Sequence, residues 1–91
     1  MGLYIMCGKY NPGSLQEIHP ARTEKAKDLV EENGGTIKAA YALLGDIDLL
    51  FVVNFATIKN VVKASVDMGN LLNISFSTYP AMTVDEFDKL F

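Results

Sequence analysis

Residues 47–55 alternate: Ile47, Leu49, Phe51, Val53 and Phe55 fall on one side of an extended chain, and Asp48, Leu50, Val52 and Asn54 on the other. A period of two over that length predicts a strand with one face under cover. Residues 72–79 repeat the pattern, with Leu72, Ile74, Phe76 and Thr78 opposed to Asn73, Ser75, Ser77 and Tyr79. Two further runs, 3–10 and 36–44, also read as strands but are apolar on each side. Leu3, Ile5 and Cys7 oppose Tyr4, Met6 and Tyr10, while Ile37, Ala39, Tyr41 and Leu43 oppose Ala40, Ala42 and Leu44.

The segments between them carry helical spacing. Pro20 suits the first position of a helix, where its missing N–H costs nothing. From there to Asn33, Ala26, Leu29, Val30 and Asn33 share a face, with Glu24, Lys27, Asp28 and Glu31 on a solvated outer side. The "NGG" at 33–35 supplies a left-handed stop. A second helix starts at Thr57 as its cap, places Ile58, Val61, Val62, Ser65 and Val66 on one face, and stops at Gly69-Asn70. The turn "NPG" at 11–13 ends the first strand, and Ser14 to Glu17 forms a capping box for a short helical turn. Gly45-Asp46, between the middle strands, predicts a two-residue type II′ hairpin. Thr83 to Glu86 is a second capping box, opening a short C-terminal helix with Phe87, Leu90 and Phe91 on its face.

The order is β-α-β-β-α-β with a tail helix, in one domain over residues 1–91. Right-handed crossovers around a central hairpin fold this order into an α+β, ferredoxin-like arrangement: an antiparallel sheet with both helices on one face. The other face mixes aliphatic side chains with a few uncharged polar groups and the carboxylate of Asp48. An apolar face of that extent marks association or ligand binding. Two such sheets stacked face to face close into a dimeric α/β barrel, so a homodimer or higher homo-oligomer through the sheet face is expected.

Composition agrees with association. The chain has 91 residues and 49% apolar content, and a domain this small buries only about 60–65% of its unfolded surface when alone. A net charge of −3 argues against a phosphate-backbone footprint, so no nucleic-acid partner is expected. The lone cysteine, Cys7, excludes an intramolecular disulfide and reads as a small buried side chain. There is no signal-peptide pattern and no run approaching the ~20 apolar residues of a membrane span. A cytoplasmic protein with no membrane partner is the expectation.

Several stretches together resemble a known family: "KYNPGSLQEI" after the first strand, Pro20 and Arg22 opening the helix, "ENGGTIKAAYALLGDIDLLFVV", "MGN" ending the second helix, and "AMTVDEF" near the end. In order and spacing these are similar to the GYD domain proteins, small dimeric α/β-barrel proteins of bacteria and archaea. The namesake Gly-x-Tyr-Asp corresponds to "GDID" at 45–48, with Ile47 in the place of tyrosine. The resemblance implies the fold and the oligomeric habit, and no settled activity. The hairpin also resembles that in the effector-binding domains of leucine-responsive bacterial regulators, without their helix-turn-helix module.

Five residues are the candidate ligand contacts: Asp48, Arg22, Tyr41, Asn54 and Tyr79. A carboxylate among strand aliphatics, as at Asp48, can act as a base or bind a hydroxyl or amine; it can equally accept hydrogen bonds from a neighbouring loop. Arg22, on the first turn of its helix, can pair with Asp48 or clamp an anion, or form a simple ion pair. Tyr41 and Tyr79 can line a pocket or sit with one hydrogen-bond partner. His19 reads as a solvent-facing cap position before Pro20. Ser75 and Ser77 lack a nucleophile context, no cluster has metal-ligand spacing, and no glycine loop cradles phosphate. No cofactor is expected. With so few titratable groups on the strands, the first expectation is a small oligomeric protein that binds a largely apolar metabolite in a barrel or interface pocket. The alternatives are a cofactor-free isomerase or monooxygenase of the dimeric α/β-barrel kind, and a structural oligomer with no ligand.

Overall fold

The alternation at 47–55 becomes strand β3 (Leu49–Phe55), in which Phe51, Val53 and Phe55 are buried and Leu50, Val52 and Asn54 half-buried. The computed structural model describes residues 2–11 and 20–91. The capping box at Ser14–Glu17, most of the "NPG" turn and His19 lie outside them. With β1 (Gly2–Tyr10), β2 (Thr36–Ala42) and β4 (Ile74–Ala81), β3 forms a four-stranded antiparallel sheet in the order β2-β3-β1-β4. Helices α1 (Pro20–Glu32) and α2 (Ile58–Leu72) separate the strands, and α3 (Val84–Asp88) follows β4. The expected ferredoxin-like α+β topology is therefore the one observed.

Residues opposite one another across the ladders share a face. The helix side carries the rows Ala40-Phe51-Met6-Thr78 and Ile37-Val53-Tyr4-Pro80, with Ala42-Leu49-Gly8-Phe76 beside them. Onto it pack Ala26 and Val30 of α1 and Val61, Ala64, Met68 and Leu72 of α2, and the core forms there. Rings of Phe51 and Phe76 lie 5.9 Å apart at a tilt, and Tyr4 meets Phe55 edge-on at 6.5 Å. The helix-free side carries the rows Tyr41-Leu50-Cys7-Ser77, Ala39-Val52-Ile5-Tyr79 and Thr36-Asn54-Leu3-Ala81. Cys7 is half-buried on that side and not in the core.

Helix α1 ends in the predicted left-handed stop. Gly34 has φ of 80°, its N–H bonds to Glu31 O at 3.0 Å, and Gly35 N–H reaches Val30 O at 2.9 Å. Those two bonds are a Schellman closure. Thr57 and Thr83 cap α2 and α3 by accepting from Asn60 N at 3.3 Å and Glu86 N at 3.1 Å.

Besides the burial expected of Cys7, four sequence expectations need correction. The hairpin is not a two-residue II′ turn: β2 stops at Ala42, residues 43–48 form the loop, and Leu43 N–H closes it on Asp48 O at 2.8 Å. Gly45 is not among the positive-φ residues that such a turn requires at its first position. Helix α2 does not stop at Gly69-Asn70 but runs to Leu72, where Asn73 adopts the left-handed cap at φ 55°. Gly69 serves a close approach instead, since a Cβ there would stand 3.2 Å from Ile74 O as β4 begins. The β2 face assignment shifts as well. A bulge between Ile37 and Ala39 turns Ala39 and Tyr41 away from the helices and brings Ala40 and Ala42 toward them. Finally, Ile58, Val62 and Val66 of α2 are exposed, because Val61, Ala64, Met68 and Leu72 form its buried stripe.

Candidate functional site

Tyr10, the last residue of β1, is held by two of the expected site residues. Asp48 Oδ2 accepts its backbone N–H at 2.9 Å. At this point β3 has not yet begun, and the carboxylate supplies the acceptor that a ladder carbonyl would otherwise provide. Asp48 N–H bonds to Gly8 O at 2.9 Å, so the residue extends the pairing of β1 beyond the strand itself. Arg22 lies over the Tyr10 ring, its Cζ 5.0 Å from the centroid. Its Nη2 also donates to Leu72 O at 2.6 Å. Leu72 is the last residue of α2, whose terminal carbonyls have no helical donor, so a guanidinium there satisfies a carbonyl and complements the helix dipole. Asp48 and Arg22 thus meet through Tyr10.

Beside this cluster a cleft of about 220 Å³ separates α1 from the sheet. It exists because small residues face small residues: Thr23 and Ala26 on α1 stand opposite Ala40 and Ala42 on β2. Close packing demands that facing volumes be complementary, and here neither side fills the gap. Leu49 and Phe51 form its floor, Leu72 and Ile74 close the side nearest α2, and Tyr10 and Arg22 supply its polar end. Tyr41 bounds it at the edge strand and is more than half exposed. The volume corresponds to about seven waters, or to one small ring with a short substituent.

Of the five expected contacts, Arg22 and Tyr41 line the cleft, and Asp48 touches its wall through Tyr10. Asn54 and Tyr79 do not join them. They belong to the helix-free face, Asn54 between Leu3 and Thr36, Tyr79 opposite Ile5. Tyr10, Thr23, Ala40 and Ala42 were not anticipated. The signal lay in "KAAYA" at 38–42, where a strand offers three alanines and so leaves room above it. Among the described residues, no three His, Cys, Asp or Glu side chains gather as a metal set would. Asp67, where α2 meets Asn33, is held below the ordinary carboxylate range by the hydrogen bond from Lys63, aided by Asn33 and opposed by burial.

The topology and the cleft over it define a ferredoxin-like α+β domain with its space on the helix side. The sequence matches the model of the GYD domain over residues 4–91, and the chain belongs to that family. Similar solved structures include the leucine response regulatory protein LrpA of Mycobacterium tuberculosis, at 11% identity and a TM-score of 0.65. That match covers 91% of this chain and 51% of the other. A transcriptional regulator matches at 12% identity and a TM-score of 0.70, over 92% of this chain and 52% of its own. FFRP-DM1 matches at 23% identity and a TM-score of 0.63, over 90% of this chain and 100% of its own. The chain thus spans about half the length of the first two, and at these identities the likeness is one of fold. No curated protein matches the sequence. Among the described residues, no helix is long and apolar enough to cross a membrane.

Proposed function

We propose that this protein is a cytoplasmic homo-oligomer that binds a small, largely apolar metabolite carrying one polar group. The observation that carries the reading is the cleft of about 220 Å³ between α1 and β2, whose mostly aliphatic and aromatic lining is joined by the polar groups of Tyr10, Arg22, Thr23 and Tyr41. Ligand sites have this character: mostly apolar lining, with few polar groups that fix orientation. One fold neighbour is named for its response to leucine, and a molecule of that size suits the cleft. The oligomer forms through the helix-free face, whose central row Ala39-Val52-Ile5-Tyr79 has no charge. The cofactor-free enzyme has less support. Asp48, its best base, is already engaged by the Tyr10 N–H.

Titration of the protein with leucine and with phenylacetate, followed by amide NMR, tests the reading. Shifts confined to Ala40, Ala42, Phe51 and their neighbours are expected, and Ala40→Leu should abolish them while the fold persists. Absence of any shift at millimolar probe, together with a higher melting temperature for Ala40→Leu, would mean an unoccupied scaffold gap.

A further inference from the structure

Helix α3 has five residues and buries no side chain. One helical turn gains too little from its own hydrogen bonds to persist unaided. Its local support is the Thr83 cap and a ring contact of 5.2 Å between Phe87 and Phe91. Val84, Phe87 and Phe91 project from one side of it and are 73%, 51% and 95% exposed. Apolar side chains so arranged on an ordered turn point to a surface outside this chain.

A surface of matching character lies on α2. Ile58, Val62 and Val66 recur every fourth residue and make a ridge left over after Val61, Ala64, Met68 and Leu72 have entered the core. The ridge stands on the flank toward β4, because Ser65, which adjoins it on the helix, meets Thr78 of β4 at 2.8 Å. That flank lies beyond the outer strand of the sheet. Charge selects the partner. Lys59 borders the ridge beside the Lys63–Asp67 ion pair, whereas Asp85, Glu86 and Asp88 border the apolar side of α3 and outnumber Lys89. Two tails would repel each other, and two ridges would as well.

We infer that the C-terminal segment, residues 82–91, of one copy docks on the α2 ridge of a second copy. Val84, Phe87 and Phe91 cover Ile58, Val62 and Val66, and the acidic flank faces Lys59. If each copy gives its tail to the other, the contact is made twice about a two-fold axis and closes. This surface is separate from both the cleft and the helix-free face, so the inference stands independently of the ligand reading.

Cross-linking between two differently substituted chains tests it. Both carry Cys7→Ser; one adds Val62→Cys and the other Asp88→Cys, which leaves the apolar anchors of the tail in place. Mixed under mild oxidation, they should give a disulfide-linked pair that neither forms alone. Separately, Phe87→Ser should weaken self-association about thirty-fold, the effect of losing a buried aromatic anchor. Lys59→Glu should weaken it about tenfold and reduce its sensitivity to salt. The inference fails if the folded mixture gives no cross-link. It also fails if a chain carrying both cysteines links only to itself at high dilution, which would place the tail on its own α2. An unchanged association constant in Phe87→Ser, with circular dichroism confirming the fold, would overturn it too.

Discussion

Asp48 and Tyr10 lie 38 residues apart in sequence, and a carboxylate oxygen of the first accepts the backbone N–H of the second at 2.9 Å. The bond fastens the end of β1 to the hairpin loop. It also fixes the ring over which Arg22 lies, so three segments of chain converge on one residue.

Removal of that acceptor should destabilise the fold. Asp48→Ala leaves the Tyr10 N–H without its partner, a loss of about 1–3 kcal/mol. For a domain of this size each kcal/mol moves the melting temperature by about 4–8 °C. Asp48→Asn keeps an accepting oxygen and loses only the charge, so it should melt between Asp48→Ala and the wild type. Thermal melts of the three proteins check the order. A wild-type melting temperature in Asp48→Ala would show that the bond contributes nothing.

Charge in the middle of the helix-free face should break the assembly. Val52 stands between Ile5 and Ala39 in the central row, and the row holds no group to pair with an ammonium. Val52→Lys should therefore break the proposed sheet-face contact or unfold the protein, and Val52→Lys combined with Phe87→Ser should leave a 10.0 kDa particle. Light scattering at micromolar concentration gives the answer. A wild-type protein that already scatters as a monomer would remove the sheet-face contact altogether.

The ion pair on α2 should have a defined pH signature. Lys63 Nζ donates to Asp67 Oδ2 at 2.6 Å and holds that carboxyl below its ordinary value. A carboxyl whose folded value is lowered stabilises the fold above the ordinary value of about 3.9 and loses that contribution as the pH falls through the folded one. In Lys63→Met the Asp67 titration should move up, and the small stability difference from wild type should vanish in acid. Carboxyl-detected NMR titration measures the first, and urea melts at pH 7 and in acid the second.

Strand and helix identities were legible wherever a period ran unbroken. At 49–55 the chain alternates strictly, and the buried side chains are the ones the alternation selects. The "NGG" stop was legible because left-handed closure needs glycine at that position. Gly69-Asn70 misled for a related reason: glycine is also used where backbones approach, and nothing in one sequence separates a stop from a close approach. The α2 face was misread because Ile58, Val62 and Val66 are as apolar as the residues that entered the core. The cleft was invisible because it is made by what is small. Ala40 and Ala42 read as ordinary strand positions until Thr23 and Ala26 are placed across from them. Arg22 and Asp48 stand out in the sequence by their charge, whereas the partner that joins them, Tyr10, is engaged partly through its backbone, which no side-chain pattern announces.

The bulge in β2 decides which side of the sheet is hollow. Pairing resumes after it with Ala39 against Val52 and Tyr41 against Leu50. Were Lys38 paired regularly with Val52 instead of bulged out, Ala39 would stand against Phe51 and Tyr41 against Leu49, and a phenol ring would project into the space now bounded by alanines. The same shift would take the Tyr41 ring off the sheet's open face and leave Ala40 there. The bulge at Lys38 therefore sets two properties together: an empty volume beneath α1, and an aromatic ring on the open face of the sheet. A relative of this protein lacking Lys38 would lose the bulge yet keep Ala39 against Val52 and Tyr41 against Leu50, so the hollow beneath α1 would survive the deletion; only a strand of full length paired without the bulge would trade it for a filled interior and a smoother exterior.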